Sequence, residues 1–367
     1  MERLDINQKT IAWLNSAKGI SNRSIEKILE YFNNSPNDLW DNFENEKNNL
    51  SFIKYEAINS LCKIKAHFEE MLLIKLKEQN IGIVTVYDKY YPEKLRHMDG
   101  SPYILYYKGR LDRINDLSIA VVGSRKATAY GKWVTEKLTG ELSELGINII
   151  SGLAIGIDSI AHRTSLKSNA NTFGVIGCGI DVVYPRINER LYLEIAEKGG
   201  AVLTEYPLGM QPLPNNFHAR NRIISGLSDG VLVIEAREKS GTLITAGHAA
   251  NQGREIFAVP GGIDSLYSKG TNALIKDGAK ITTSIDDIIE EIPELRERIN
   301  KKQSCDNCLS FTSNEITIIN SLKLGGKTLD ALSEETQIGT GELLGLITLL
   351  EMKGAVRRVS GNKFIIN

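Results

Sequence analysis

The chain has 367 residues, enough for two or three domains, and its 42% hydrophobic and 24% charged content is ordinary for a globular protein. A net charge of −1 excludes a protein that is basic throughout, so any anion-binding site must be a local concentration of Arg and Lys. The sequence opens without an apolar leader and lacks an apolar run near the ~20 residues of a membrane span, which predicts a cytoplasmic protein with no membrane contact.

Residues 1–80 have a helical pattern. Two apolar-periodic pieces meet at Gly19, and Ile25, Ile28 and Leu29 recur at helical spacing in the second piece. We predict a small helical domain. The alternative is a helix-hairpin-helix unit, which would hold DNA phosphates with the amides of its turn.

Residues 81–116 contain two β-like runs separated by Pro92, Gly100 and Pro102, and we interpret this segment as a connector. Over residues 117–293, apolar strand-like runs alternate with amphipathic helical stretches. Runs that are apolar throughout predict a parallel sheet covered by helices on both faces, an α/β, Rossmann-like domain.

Residues 294–311 are charged and weakly periodic, and we interpret them as a linker. Cys305 and Cys308 form a C-x-x-C pair there, but no second pair follows to complete a zinc site. We therefore predict two surface thiols and no metal. Residues 312–367 show helical stretches followed by two strand-like runs joined at 360–362, the outline of a winged helix.

In open α/β sheets, ligands bind beyond the carboxyl ends of the strands, where glycines allow close backbone approach and leave amides accessible. Almost every such loop here carries Gly or a small polar residue. The loop candidates for contact with an anionic ligand are Gly123, Ser124, Gly152, Gly156, Gly177, Gly179, Ser240, Gly241 and Thr242.

Cationic and aromatic side chains join these loops. Arg125 and Lys126 follow the first strand, Arg237 and Lys239 follow the fifth, and Phe217 precedes Arg220, Asn221 and Arg222 in "FHARNR". Guanidinium groups beside an aromatic ring are typical of single-stranded nucleic-acid sites. Alternatively, Phe217 belongs to the core, Arg222 pairs with Asp229 or Glu235, and Gly152 and Gly156 serve strand–helix packing.

Enzymatic alternatives have weaker support. A dinucleotide site needs an acidic residue at the end of the second strand, and this strand ends at Ser151-Gly152. Asp158 and His162 lie four residues apart, but no nucleophile occurs in a G-x-S-x-G context. We expect a structural His162, and no catalytic residues.

The motifs "VVGSRKATAYG", "SGLAIGIDSIAH", "VIGCGIDVVYPRIN", "NNFHARNRIISGLSDGVLVIEA" and "SGTLITAGHAANQGREIFAVPG" occur in that order. With them, the chain resembles the DprA/Smf family of DNA-processing proteins. The resemblance implies a SAM-like N-terminal domain, a winged-helix C-terminus, and no enzymatic activity or cofactor. It also implies a protein that binds single-stranded DNA, protects incoming strands in natural transformation and loads the RecA recombinase, acting as a homodimer through the Rossmann-like domain.

The resemblance implies a DNA pocket of Gly123, Ser124 and Arg125 with the "FHARNR" stretch. Pro214 stands where the resemblance implies Lys in many relatives, so one phosphate contact is either missing here or supplied by Lys126 or Lys239. The fold also resembles the lysine-decarboxylase-like nucleotide hydrolases. Nucleotide hydrolysis is therefore the alternative function. An enzyme of that class would carry an acidic residue where "SGTLIT" has Ile244 and Thr245.

The expected recognition helix of the winged helix, "GTGELLGLITLLEMKG", carries Glu342, Glu351 and a single base, Lys353. A helix that reads a DNA groove is rich in Arg, Lys, Asn or Gln. We therefore favour a protein-contact or autoregulatory module over a reader of duplex DNA.

Overall fold

A computed structural model describes residues 4–297, 312–323, 325–352, 355–359 and 363–366. The chain divides into two compact units, residues 1–296 and residues 297–367. No helix in the described ranges is long and apolar enough to cross a bilayer. The linker expected over 294–311 lies mostly outside the described residues, as do Cys305, Cys308 and the turn at 360–362.

The first unit consists of a large sheet with helices on both faces. Its helices are α1 (Ile6–Ser16), α2 (Asn22–Tyr31), α3 (Pro36–Glu46), α4 (Tyr55–Lys65), α5 (Phe68–Glu78), α6 (Glu93–Arg96), α7 (Ala129–Glu144), α8 (Ile157–Lys167), α9 (Glu189–Lys198), α10 (Pro214–Gly226), α11 (Gly241–Asn251), α12 (Lys269–Lys276) and α13 (Asp286–Glu291). Its strands are β1 (Gly82–Thr85), β2 (Ile104–Gly109), β3 (Ser118–Val122), β4 (Asn148–Ser151), β5 (Thr172–Val175), β6 (Gly200–Thr204), β7 (Gly230–Val233), β8 (Glu255–Ala258) and β9 (Lys280–Ile281).

The described strands of this sheet have the order β1-β2-β6-β5-β4-β3-β7-β8-β9. From β6 to β9 all neighbours are parallel, and β3 is buried along its whole length. Strands with apolar side chains on both faces cannot face water on either side, so helices cover both. The predicted α/β fold with a Rossmann-like parallel sheet is confirmed.

Residues 81–116 are more than the connector we predicted, because their two strands extend the sheet. β1 pairs antiparallel with β2, and β2 pairs antiparallel with β6, so that Tyr106 lies opposite Thr204. Lys94 also binds Asp229 at 2.6 Å, which fixes this segment to the turn between α10 and β7. The difference arises because strand pairing over long sequence separations leaves no local signal in a Tyr- and Pro-rich stretch.

The N-terminal helices are confirmed, and they pack on the sheet within the same compact unit. Trp13 and Ile28 share one buried cluster with Tyr106 of β2, Tyr192 of α9 and Val202 of β6. Asn15 donates to the carbonyl of Glu205 at 3.1 Å and accepts from the Tyr106 hydroxyl at 3.2 Å. Polar bonds thus reinforce an apolar contact between helices and sheet.

The second unit has the winged-helix arrangement that the sequence predicts. Its described elements are α14 (Ser313–Leu322), β10 (Lys327–Thr328), α15 (Leu329–Thr336), α16 (Thr340–Met352), β11 (Val356–Val359) and β12 (Lys363–Ile366). The strands form an antiparallel sheet in the order β10-β12-β11. A small apolar core that includes Ile318, Leu332, Ile347 and Phe364 holds helices and sheet together.

Candidate functional site

A pocket of about 410 Å³ opens at the carboxyl edge of the parallel strands, between the loops that follow β3 and β7 and the first turns of α10 and α11. The predicted residues that line it are Gly123, Ser124, Arg125, Lys126, Phe217, Arg220, Asn221, Ser240, Gly241 and Thr242. Five other candidates, Gly152, Gly156, Gly177, Gly179 and Arg222, are not among its lining residues.

The loop after β3 presents Arg125 and Lys126 to solvent. The Ser124 hydroxyl accepts from the Lys126 amide at 3.0 Å, and the Ser124 carbonyl accepts from the Ile157 amide at 3.2 Å. This second bond ties the loop to the start of α8. The two cations are therefore carried on a turn that is fixed at its base and exposed at its tip.

Gly156 is required where the loop after β3 meets the start of α8. Its φ of +87° is rarely adopted by other residues, and a Cβ there would lie 2.3 Å from the Ser124 carbonyl oxygen. A Cβ at Gly123 would likewise lie 2.6 Å from the Ile157 side chain. Both glycines therefore permit close packing here, and for Gly156 this is the packing alternative raised by the sequence.

Arg220 lines the pocket but is buried. Its guanidinium Nη1 donates to the carbonyl of Gly152 at 2.8 Å and to the carbonyl of Val175. Burial lowers its pKa to about 10, which leaves it charged at neutral pH. "FHARNR" lies on α10, and the turn of the helix directs Arg220 inward to link the ends of β4 and β5. Its position on a helix could not be read from the loop-like sequence.

Arg222 also differs from its expected role, because it forms an ion pair with Glu205. The same carboxylate accepts from Asn22 at 3.1 Å, so the pair links α10 to the N-terminal helices. Neither partner suggested by the sequence is used. Asp229 binds Lys94, and Glu235 accepts hydrogen bonds from Thr128 at the start of α7.

Phe217 lies half-buried at the rim of the pocket. Its ring centroid is 6.0 Å from the Arg125 guanidinium carbon and 5.3 Å from the ring centroid of Tyr184. Gly177 packs against it, since a Cβ there would lie 2.9 Å from the Phe217 ring. The backbone that follows β5 thus supports the Phe217 ring from one side, while another part of the ring remains available to a ligand.

Asp158 was missed as a pocket residue, although its pairing with His162 was considered. Its carboxylate accepts from the Gly152 amide at 3.1 Å, and burial raises its pKa to about 6 against the opposing charge of Arg220. A Cβ on Gly152 would lie 2.7 Å from this carboxylate. Gly152 therefore makes room for the Asp158 and Arg220 side chains.

His162 is fully buried, and its Nδ1 lies 2.7 Å from the Thr172 hydroxyl, which itself donates to the Ile149 carbonyl. Burial lowers the pKa of His162 to about 3, so the ring is neutral near pH 7. A neutral ring bonded between α8 and β5 has a structural role. The remaining candidate, Gly179, packs against the backbone of Pro207 and Gly209.

Arg237, which the sequence analysis named among the cations after the fifth strand, also lines the pocket, together with Tyr267, which was missed. The Arg237 guanidinium donates to the Tyr267 hydroxyl at 3.0 Å and lies 4.8 Å from its ring centroid. Arg237 lies four residues after the end of β7, and its place after a strand was the signal that found it. Tyr267 follows β8 by several residues, and nothing in its local sequence indicates that its loop returns to the pocket.

Two family descriptions match this chain. The sequence model described as DNA recombination-mediator protein A matches residues 82–293, and that described as DprA winged helix domain matches residues 312–362. The first match begins at β1, so it includes the two antiparallel strands that extend the sheet.

Curated relatives cover much of the chain. DNA processing protein DprA of Bacillus subtilis is 44% identical over 224 residues, which are 61% of this chain and 75% of that protein. The protein of the same name from Streptococcus pneumoniae is 39% identical over 279 residues, 74% of this chain and 94% of that protein.

Two solved structures are also similar. The X-ray structure of the Streptococcus pneumoniae protein has a TM-score of 0.66 at 36% identity, and the match covers 79% of this chain and 99% of that one. DNA processing protein A of Helicobacter pylori, described for its single-stranded DNA binding mode, has a TM-score of 0.53 at 30% identity. That match covers 58% of this chain and 96% of that one.

Proposed function

This chain belongs to the DNA recombination-mediator protein A (DprA/Smf) family, and on that premise we propose that its pocket at the carboxyl edge of the sheet binds single-stranded DNA. The observation that carries the proposal is the neighbourhood of Phe217 and Arg125 on the pocket wall. Single strands are bound where cations track the phosphates and aromatic rings stack on bases. Arg125 and Lys126 supply exposed charge, and Phe217 supplies a ring supported from behind.

The role that we propose for each cation of the site depends on how deeply its side chain is buried. Exposed Arg125 and Lys126 contact phosphates, and the amides around Gly123, Ser124, Gly241 and Thr242 provide further donors. Buried Arg220 acts as a positioning residue that fixes the loops after β4 and β5. Its positive charge also contributes to the field that an incoming phosphate meets.

We propose that the protein works without catalysis. In "SGTLIT", Thr245 is buried and Ile244 is apolar, so this stretch offers no acid. Of the residues that line the described pocket, Asp158 is the one carboxylate, and two backbone amides already hold it. These features disfavour the nucleotide-hydrolysing alternative.

Loading of RecA, protection of incoming strands in transformation and homodimerisation through the Rossmann-like unit are proposals that rest on the family. The winged-helix unit supports a role in protein contact. Its helix α16 exposes Leu344, Leu349 and Met352. An apolar surface of this kind suits a protein partner better than the polar edges of a DNA groove.

Fluorescence anisotropy with labelled oligo-dT, measured across salt concentrations, tests the central proposal. We expect tight, salt-dependent binding that other single strands displace, while duplex DNA and mononucleotides compete poorly. If duplex or mononucleotides compete as well as single strands, or if a mononucleotide is turned over, the proposal fails.

A further inference from the structure

A second, basic groove lies between α8 and α9, away from the pocket. It has a volume of about 510 Å³. Its charged lining residues are Arg163, Lys167, Arg190, Lys198 and Glu194. Four cations against one carboxylate is a local excess of positive charge in a chain whose net charge is −1.

Most of this charge is uncompensated. Arg190 pairs with Glu194 at 3.0 Å, while Arg163 contacts only the Asn188 side-chain oxygen, at 3.5 Å, in the hydrogen bonds recorded for the described chain. Lys167 and Lys198 form no ion pair within the described ranges. Cations collected along a concave surface without partners attract an anion to that surface.

The shape of the groove fits an extended polyanion. Arg190 and Lys198 stand eight positions apart on α9, a rise of about 12 Å. Arg163 and Lys167 stand one turn apart on the facing helix α8. The groove therefore has two rows of cations, one on each helix, and the cations of a row are spaced along the helix axis. This spacing matches a backbone with repeated phosphates better than it matches one compact phosphate. Ile187, 77% exposed at the mouth of the groove, adds an apolar contact.

One loop, residues 184–188, contacts the pocket residue Phe217 through Tyr184 and lines the groove through Ile187. Tyr184, 43% exposed, has its ring centroid 5.3 Å from that of Phe217 at an interplanar angle of 39°. Arg186, which is exposed, lies two residues after Tyr184, and Ile187 lies three residues after it. Asn188 then anchors this loop by donating to the Leu153 carbonyl at 2.9 Å. A strand that leaves Phe217 therefore meets a ring, a cation and the mouth of the groove in turn.

We propose that the groove between α8 and α9 binds the sugar–phosphate backbone of single-stranded DNA after the strand has passed from the pocket across Tyr184. This inference rests on the proposed function of the pocket. It adds a second contact segment, so the full site is longer than the pocket, and the groove contributes only when the strand is long enough to reach it.

The test compares two labelled oligo-dT strands, one of roughly 6 nucleotides and one of roughly 20. The variant combines Lys167→Gln, Arg190→Gln and Lys198→Gln. Its control combines Lys63→Gln, Lys75→Gln and Lys77→Gln. These lysines are exposed residues of α4 and α5, so the control loses the same amount of positive charge at a different surface. Thermal unfolding of all proteins checks that each one is folded.

We expect the groove variant to bind the long strand at least about tenfold more weakly, while the short strand and the control variant change little. The slope of log affinity against log salt should fall by about 2 for the long strand if all three cations contact phosphates. Tyr184→Ala should weaken binding of the long strand in the same direction.

Unchanged binding of the long strand by the groove variant would overturn the inference, as would an equal loss for both lengths. If excess thymidine monophosphate abolishes the difference between variant and wild type, the groove takes a free nucleotide, which also overturns it. Failure of the proposed function looks different, since the wild-type protein would then bind neither strand.

Discussion

Arg125 and Arg220 carry the same charge in one pocket but differ in burial, and we expect their substitutions to fail in different ways. Arg125→Ala should weaken binding of single-stranded DNA by about 1–3 kcal/mol, because it removes an exposed charge-assisted contact, and should leave the unfolding temperature unchanged. Anisotropy and thermal unfolding together measure both effects.

Arg220→Ala should lower the free energy of unfolding by about 3 kcal/mol, because the carbonyls of Gly152 and Val175 lose their donor inside the protein. Chemical denaturation measures this loss. A variant of normal stability with weak DNA binding would show instead that Arg220 is a direct phosphate ligand.

Asp158 predicts a pH dependence of binding. Its folded-state pKa of about 6 means that the carboxyl gains a negative charge as the pH rises from 5 to 7. A bound phosphate is repelled by that charge, so affinity should fall over this range, by about fivefold for an interaction of about 1 kcal/mol. Anisotropy in buffers of constant ionic strength measures the change.

Asp158→Asn should flatten this dependence and bind as tightly at pH 7 as the wild type does at pH 5. His218 also lines the pocket, so His218→Gln serves as the control that isolates its contribution. A dependence that persists in Asp158→Asn and disappears in His218→Gln would assign the effect to the histidine.

At the scale of elements, the loop after β3 and the start of α8 interlock through Gly156. Gly156→Ala should displace the Ser124–Arg125 backbone, lower stability by about 2 kcal/mol or more and weaken DNA binding, because its Cβ meets the Ser124 carbonyl oxygen. Gly247→Ala in α11 is the matched control. Apart from neighbouring backbone of its own helix, no described atom lies within 4 Å of its Cβ position, so we expect a neutral or slightly stabilising effect.

Equal stability of the two alanine variants would contradict the interlocking of the loops. Measurement of both by chemical denaturation, followed by DNA binding at a temperature where each is folded, separates a loss of stability from a displaced loop.

The elements that the sequence predicted well are those with a local signature. β3 and β7 are apolar throughout because both faces are buried, and the glycines after them mark the carboxyl edge, so the place of the pocket could be predicted. The directions in which the Arg220 and Arg222 side chains point could not be predicted. An arginine that bonds buried carbonyls, or that pairs with Glu205, looks the same in the sequence as an exposed arginine. Pairing of β2 with β6 was likewise hidden by its long range.

For the whole molecule, the division into two compact units predicts that DNA binding is independent of the winged helix. The pocket and the groove both lie within residues 1–296. A protein ending at Arg296 should fold and bind oligo-dT within about threefold of the full chain, a difference below about 1 kcal/mol. Circular dichroism and anisotropy provide the measurements. A loss of about tenfold or more in a folded truncation would assign the winged helix a direct part in DNA binding.

The antiparallel contact between β2 and β6 also sets an order of events as the protein is synthesised. The ribosome delivers the N-terminal helices and β2 well before Thr204, yet Tyr106 completes its pairing only with that strand. Until then, the apolar surface of Trp13 and Tyr106, which packs in one cluster with Val202 of β6, stays open. Such non-local pairing slows folding and exposes nascent chains to aggregation. The outer part of the sheet therefore stays exposed in the growing chain until β6 has emerged, and the pairing of β3 with β7 follows later still.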